Sequence, residues 1–382
     1  MKSVRNWRRL GMKFESYPLK DLVTIKYGKN QKKVISEAGS IPIYGTGGLM
    51  GYATKALYDK PSVLIGRKGT IEKIRYVDHP FWTVDTLFYT IVNETLVIPQ
   101  FLYYCLLQID LLQYNEGTTI PSLRTETLNR IELKIPSVDN QHRILKYLAS
   151  LDNKIEINNR INQNLEQQAQ AIFKSWFVDF EPFGGVMPDD WKKGNLLDIA
   201  DYLNGLAMQK YRPKNNEIAL PVLKIKELRQ GTYDTNSELC SVNIKPEYIV
   251  QNGDVIFSWS GSLLVDFWCG GKCGLNQHLF KVTSKKYDKW FYYSWTKYHL
   301  DNFINIAKDM ATTMGHIKRE ELKKSVVFIP NIHDYQKIHN LLKPVYDMII
   351  HNRIENQYLS TIRDTLLPKL MSGEINVWKT KI

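Results

Sequence analysis

Four cysteines in 382 residues are too few for a disulfide framework, and two of them, Cys105 and Cys240, stand isolated. Such sparse thiols suit a reducing cytoplasm. Cys269 and Cys273 enclose Gly-Gly-Lys, but zinc there needs two further ligands and only His278 stands near, so a glycine-rich strand turn is the simpler reading. Long apolar runs are missing too: none approaches the roughly 18–20 residues that span a bilayer, which argues against a membrane protein. The first thirteen residues carry Lys2, Arg5, Arg8, Arg9 and Lys13 with no apolar stretch behind them, unlike a secretory signal. Acidic residues are in deficit, 39 against 51 Lys and Arg, for a net charge of +12. That excess attracts polyanions, which makes nucleic acid or an anionic membrane surface the first partner class to consider.

Signatures of catalysis are missing as well. There is no Asn-Pro-Pro-aromatic or Asp-Pro-Pro-aromatic run of an amino-methyltransferase, and no Gly-x4-Gly-Lys-Ser/Thr phosphate loop. Gly45-x-Gly47 lacks the third glycine of a dinucleotide fingerprint, because Met50 stands there. Glu132-Leu133-Lys134 has the E-x-K shape of a nuclease strand but no convincing upstream partner, so a plain strand edge is the better reading. We expect no catalytic, metal or cofactor site.

What the chain does have is a repeat. Thr118-Thr119 recurs 194 residues later as Thr312-Thr313, and the same shift carries Leu123 onto Ile317, Glu126 onto Glu320, Leu128 onto Leu322 and Pro136 onto Pro330. It then carries Ile144, Leu148, Leu151, Ile155, Asn158, Asn162 and Leu165 onto Ile338, Leu342, Val345, Ile349, Asn352, Asn356 and Leu359. Upstream the shift is 192 for Gly69 onto Gly261 and Leu87-Phe88 onto Leu279-Phe280. It is 177 for Leu19, Asp21 and Gly28 onto Leu196, Asp198 and Gly205, and 179 for Pro42 onto Pro221. The second copy has therefore gained about 13 residues within Leu223 to Tyr248, and such insertions fall in surface loops.

Each copy opens with short apolar runs and glycines. Val63-Leu64-Ile65, Val255-Ile256-Phe257, Ile131 to Ile135 and Val326 to Ile329 predict strands, the last two closed by Pro136 and Pro330. Strands without regular intervening helices predict α+β domains. After each proline the period becomes seven. Apolar residues and Asn recur at 4-3 spacing from Ile144 to Trp176 and, less regularly, from Ile338 to Leu370. Pro344 should kink or begin the second helix, and Arg363 intrudes in its seam. A buried Asn needs an amide partner. The paired Asn of both seams therefore predict that the helices pack on each other, antiparallel, through Leu151, Ile155, Asn158, Asn162 and Leu165 on one and Val345, Ile349, Asn352, Asn356 and Leu359 on the other. The alternative is that each helix packs only on its own domain. The expected architecture is thus α+β, with two similar domains separated by two long antiparallel coiled-coil helices and related by a pseudo-twofold internal repeat.

A helix of about 35 residues is roughly 50 Å long. Two basic domains at the ends of such a rod would reach duplex sites on the order of 10–15 base pairs apart. Copies with different loops would read different half-sites, which makes the expected target bipartite and asymmetric. Candidate DNA contacts lie beside the glycine turns. In the first copy they are Tyr44, Thr46, Arg67, Lys68, Thr70, Thr118, Thr119, Ser122 and Arg124. In the second they are Lys224, Lys226, Trp259, Ser260, Ser262, Gln277, His278, Thr312, Thr313, His316 and Lys318. Glycine turns let backbone approach phosphates, and Arg67 or Lys68 can reach guanine edges.

Several motifs together resemble the specificity subunits of type I restriction-modification systems, over essentially the whole chain. They are Ile43-Tyr44-Gly45-Thr46-Gly47-Gly48, Ile65-Gly66-Arg67-Lys68-Gly69-Thr70, Gly117-Thr118-Thr119-Ile120-Pro121-Ser122-Leu123, and Ile135-Pro136 followed by Gln141. Leu151-Asp152-Asn153-Lys154-Ile155, Ile172-Phe173-Lys174-Ser175-Trp176-Phe177 and the run from Leu366 to Ile375 complete the set. The second copy departs from the pattern, with Ala311-Thr312-Thr313-Met314-Gly315-His316 in place of Gly-Thr-Thr-Ile-Pro-Ser. The resemblance implies target-recognition domains at 1–140 and 191–332, with helical regions at 141–190 and 333–382. It further implies double-stranded DNA as ligand, two docked methyltransferase subunits that bind S-adenosylmethionine, and motor-nuclease subunits that use ATP and magnesium. None of that chemistry would reside in this chain.

Overall fold

The computed structural model describes residues 13–309 and 316–375; Thr312 and Thr313 lie outside them. The chain divides into two compact units, one running to Asp152 and resuming at Thr361, the other spanning Asn153–Ser360.

The first unit contains β1 (Phe14–Pro18), β2 (Val23–Tyr27), β3 (Ile41–Gly45), β4 (Gly48–Ala53), β5 (Ser62–Gly66), β6 (Ile74–Val77), β7 (Trp82–Thr83), β8 (Leu87–Val92) and β9 (Glu132–Pro136). They form an antiparallel sheet ordered β2-β8-β5-β6, a small sheet β4-β3-β7 in which β3 and β7 run parallel, and a ribbon β1-β9. The apolar runs read as strands are buried for a reason: Val63 and Ile65 of β5 pack with Phe101, Leu102 and Leu106 of helix Pro99–Leu107 and with Ile144, Leu148, Leu367 and Leu370. Glu132 sits in the β1-β9 ribbon, where Ser16 donates to it at 2.9 Å, as a strand-edge residue would.

In the second unit the strands are β10 (Lys192–Asn195), β11 (Asp201–Asn204), β12 (Ala219–Leu223), β13 (Leu239–Ser241), β14 (Ile249–Val250), β15 (Asp254–Ser258), β16 (Leu264–Trp268), β17 (Cys273–Leu275), β18 (Leu279–Thr283) and β19 (Val326–Ile329). Their sheets are β11-β18-β15-β16, β13-β12-β17-β14 with β12 and β17 parallel, and a ribbon β10-β19. Strand for strand this repeats the first unit, with β14 added. The inserted residues are located by the same comparison. Only Thr46 and Gly47 join β3 to β4, whereas residues 224–238, including a helix at Ile225–Gln230, join β12 to β13. The difference is the 13 residues inferred from the shifts. Cys269 and Cys273 are buried in different apolar clusters, and burial pushes the Cys273 thiol up to about 12.

Two helices of 40 residues each, Val138–Phe177 and Ile332–Met371, carry the heptad seams. Pro344 does not begin the second helix, which starts twelve residues earlier and continues through it. Proline there removes the N–H that would bond the Asn340 carbonyl. Burial of Leu342, Tyr346 and Ile349 in the second unit's core holds the segment helical regardless.

Within the second unit the helices pair antiparallel, and the Asn layers meet crosswise. Asn158 Nδ2 donates to Asn356 Oδ1 at 2.8 Å, and Asn352 Nδ2 donates to Asn162 Oδ1 at 2.9 Å. Asn162 also donates to the Ile349 carbonyl and Asn356 to Asn159. The seam nevertheless has a second job, because Ala169 enters the second unit's core and Leu165, Ile172 and Trp176 pack against it, beside Phe173 and Phe177. In the first unit Ile144 and Leu148 enter the core, and Arg363 answers its polar seam position by pairing with Asp152 at 2.8 Å. Asn158→Leu should destabilise the chain by about 1–3 kcal/mol in urea unfolding, because it orphans a buried amide. The double change Asn158→Leu/Asn356→Leu should recover most of that loss. Equal losses from single and double variants would mean the two amides do not support each other.

Candidate nucleic-acid interface

In each unit four chain segments meet at the end of the main sheet. In the first, the Gly28 amide donates to Leu87 O at 3.0 Å, the Arg67 amide to Thr86 O at 2.8 Å, and the Leu123 amide to Arg67 O at 2.9 Å. In the second, Gly205 donates to Leu279 O at 3.0 Å, Trp259 to His278 O at 3.4 Å, and Ile317 to Trp259 O at 2.8 Å. A bridge joins Lys68 to Ser122 in one unit and Ser260 to His316 in the other. Gly69 (φ +86°) and Gly261 (φ +66°) both turn in the left-handed region, which a side chain would strain. The frame is therefore the same twice.

The side chains mounted on it differ. In the first unit the Arg67 guanidinium lies 5.1 Å from the Tyr27 ring centroid and donates from Nη1 to Asp85 O at 2.8 Å. Lys68 stands exposed beside it. In the second unit the position of Arg67 is taken by Trp259, whose Nε1 donates to Asn204 Oδ1 at 3.0 Å. Ser260 Oγ lies 3.0 Å from His278 Nδ1, Gln277 lies 3.3 Å from the other ring nitrogen, and the His316 ring meets Trp259 edge-on at 6.2 Å. A cation held on an aromatic face has been exchanged for an indole held by an amide.

Of the sequence candidates, the structure thus groups Arg67, Lys68 and Ser122 in one unit, and Trp259, Ser260, Gln277, His278 and His316 in the other. Thr118 and Thr119 are exposed on a loop closed by Asn115, which accepts from the Ser122 amide at 2.8 Å; Arg124 pairs with Glu116 at 3.1 Å. Thr70 is half-buried, Lys318 exposed, and the Ser262 carbonyl accepts from Ser258 at 2.9 Å. Tyr44 is buried in β3, within 3.3 Å of His79, and Thr46 lies in the β3–β4 turn. Lys224 and Lys226, at the start of the insertion, are already paired with Glu238 and Asp234. Tyr27 and Asn204 were missed, although the shift of 177 aligns them directly before the matched glycines.

The model of the type I restriction modification DNA specificity domain matches residues 12–167 and again 188–358, one match for each copy of this frame. The chain belongs to the type I DNA specificity family. Its role is sequence-specific DNA recognition within a type I restriction-modification system. The MjaIX specificity subunit of Methanocaldococcus jannaschii is 26% identical, over 84% of this chain and 79% of that protein. The HindI specificity subunit of Haemophilus influenzae is 22% identical, over 77% and 81%. A crystal structure of the type I S subunit from M. genitalium has the same fold, with a TM-score of 0.57, 16% identity and coverage of 97% of this chain and 98% of that one. Among the described residues no helix is long and apolar enough to cross a membrane.

Proposed function

We propose that each unit of this specificity protein reads one half of a split, asymmetric DNA target, with recognition domains at 1–140 and 191–332. The observation that carries the reading is one hydrogen-bonded frame holding unlike side chains, Tyr27, Arg67 and Lys68 in one unit and Asn204, Trp259 and Gln277 in the other. A common frame presents its side chains to a groove in a common way, so different side chains select different bases. Arg67 suits a guanine edge and Gln277 an adenine edge. Thr46, Thr70, Thr118, Thr119, Ser122, Arg124, Lys224, Lys226, Ser260, Ser262, His278, His316 and Lys318 remain further candidate contacts, with the buried Tyr44 beneath them and Thr312 and Thr313 outside the described residues.

The chain itself catalyses nothing in this reading. It works in the cytoplasm and docks two methyltransferase subunits, which bring S-adenosylmethionine, and motor-nuclease subunits, which bring ATP and magnesium. Exposed Ile157, Ile161, Met348 and Tyr358 on the long helices support a docking face there, since large apolar side chains in water favour a protein partner. Mapping methylated adenines in cells that carry the chain with its partners should give a two-part sequence with unlike halves; a continuous or palindromic target would sink the reading. Affinity of the purified complex should fall at least tenfold between about 50 and 200 mM salt, as phosphate neutralisation requires. A flat response would leave only a helical scaffold, and cleavage by this chain with magnesium alone would reveal a catalytic site of its own.

A further inference from the structure

Between the β3–β4 turn and β6, the first unit holds a cavity of about 110 Å³, to which Thr46 is the one candidate above that contributes. Leu64 and Leu87 form its apolar floor, and Gly45, Thr46, Lys73 and Arg75 surround its mouth. Local structure explains why two cations arrive there. Arg75 stands in β6 and Lys73 immediately before it, both against the cavity, and Arg75 is paired in register with Leu64 of β5. Its guanidinium lies 5.1 Å from the Tyr44 ring centroid and reaches the hairpin, where a Cβ on Gly48 would meet Nη2 at 3.5 Å. The Gly69 turn stands behind Thr46, whose Oγ1 is 4.0 Å from where a Cβ on Gly69 would stand.

No carboxylate lines this cavity, and neither Lys73 nor Arg75 joins an ion pair among the described residues. The nearest acids in sequence, Glu72 and Asp78, are exposed. Unspent positive charge beside a hydroxyl and a glycine-rich turn is a seat for an oxyanion. The second unit has no counterpart. There the residue paired with Ile256, as Arg75 is with Leu64, is Asp266, and its charge is taken up by Arg353 at 2.6 Å. The tight turn is replaced by the 15-residue connection already described.

We propose that this cavity seats one phosphate of the DNA backbone, with Arg75 and Lys73 neutralising it and Thr46 donating to it. The proposal rests on the DNA-reading role above and adds to it a fixed register. Phosphate contacts position a protein on its duplex whereas base contacts specify sequence. An anchored backbone would bring the Tyr27–Arg67 pair to the same base step at every encounter. Free phosphate offers the same chemistry, so the test separates the two sources.

The test uses the assembled complex containing the full chain, with binding to the target duplex followed by fluorescence anisotropy across a salt series. Lys73→Gln/Arg75→Gln should bind roughly tenfold more weakly and lower the slope of log affinity against log salt by about one, the loss of one phosphate contact. The methylated sequence should stay the same. Lys73→Arg/Arg75→Lys should keep most of the slope, and unchanged thermal midpoints keep folding out of the comparison. Single methylphosphonates, which remove one backbone charge, should weaken wild-type binding at one first-half position and leave the double variant indifferent there. If wild type binds no duplex selectively, the DNA-reading role fails and not the seat alone. If wild type binds but the variants keep its slope and every methylphosphonate effect is additive, the seat is overturned. Millimolar inorganic phosphate that shifts the Arg75 resonance, with no coupled methylphosphonate position, also overturns it, by making the cavity a free-anion site.

Discussion

Exchanging residues 191–332 for the corresponding segment of another family member should rewrite one half of the methylated target and leave the other half as it was. The boundaries suit the exchange because β10 and β19 pair from Lys192↔Ile329 to Asn195↔Val326, so both ends of the segment leave and enter as one ribbon. What stays behind is the helix Val138–Phe177 and nearly all of Ile332–Met371, with their crossed Asn layers. Several links cross the cut, among them Arg353 to Asp266 at 2.6 Å and the Ser294 and Tyr346 hydroxyls at 2.9 Å. Trp191 Nε1 donates to Asp334 Oδ2 at 3.1 Å, and Asn331 caps the second long helix by accepting from the Asp334 amide at 2.8 Å. An incoming segment that keeps Trp191, Asp266, Ser294 and Asn331 should therefore fold onto the retained helices. Each wrong base pair costs about 1–3 kcal/mol, so a half-site of several base pairs should shift preference by at least a thousandfold. Mapping methylated adenines reads both halves in one experiment. A change in both halves would mean the two frames are not read independently.

How much of this could be read without coordinates depends on the kind of signal each residue leaves. The repeat was visible because matched residues keep their type and spacing, and it yielded the insertion length, the strand pairs around Val63 and Val255, and the Asn layers. The seam was visible because period seven is rare outside helix pairs. Its double use was not, since Ala169 obeys the heptad as well as Asn162 does while packing into a domain core. Pro344 does not begin the helix, because the burial of Tyr346 and Ile349 outweighs the local propensity. Residues at strand ends are harder still. Tyr27 carries no period, and its partner Arg67 lies 40 positions away, so only the fold brings cation and ring together. Lys73 and Arg75 look like any solvated strand edge until the hairpin turn is seen to fold over them.

Removing a single side chain, that of Arg353, should cost the second unit about 2–4 kcal/mol in urea unfolding. Its guanidinium bridges Glu166 at 2.7 Å and Asp266 at 2.6 Å, tying the two long helices to β16, and the three side chains are only 25–30% exposed. Burial alone would lower the arginine's pKa, but Asp266 and Glu166 outweigh it and raise it above its ordinary value. Arg353→Ala leaves two carboxylates facing each other in a half-dry site, and breaking a buried pair costs about 3–5 kcal/mol. The residual exposure screens part of that. Arg353→Met should lose nearly as much, because it keeps the packing and still strands both acids. Arg353→Met with Glu166→Gln and Asp266→Asn should recover most of the loss, since a charge-free layer of similar volume needs no counterion. A loss below about 1 kcal/mol would place the triad among solvated surface pairs. The repeat explains why the effect is confined to one unit: Asn159 stands where the first copy would need Arg353, and Arg75 where it would need Asp266. One copy binds its charge internally to fix a helix on a sheet, and the other leaves its charge open.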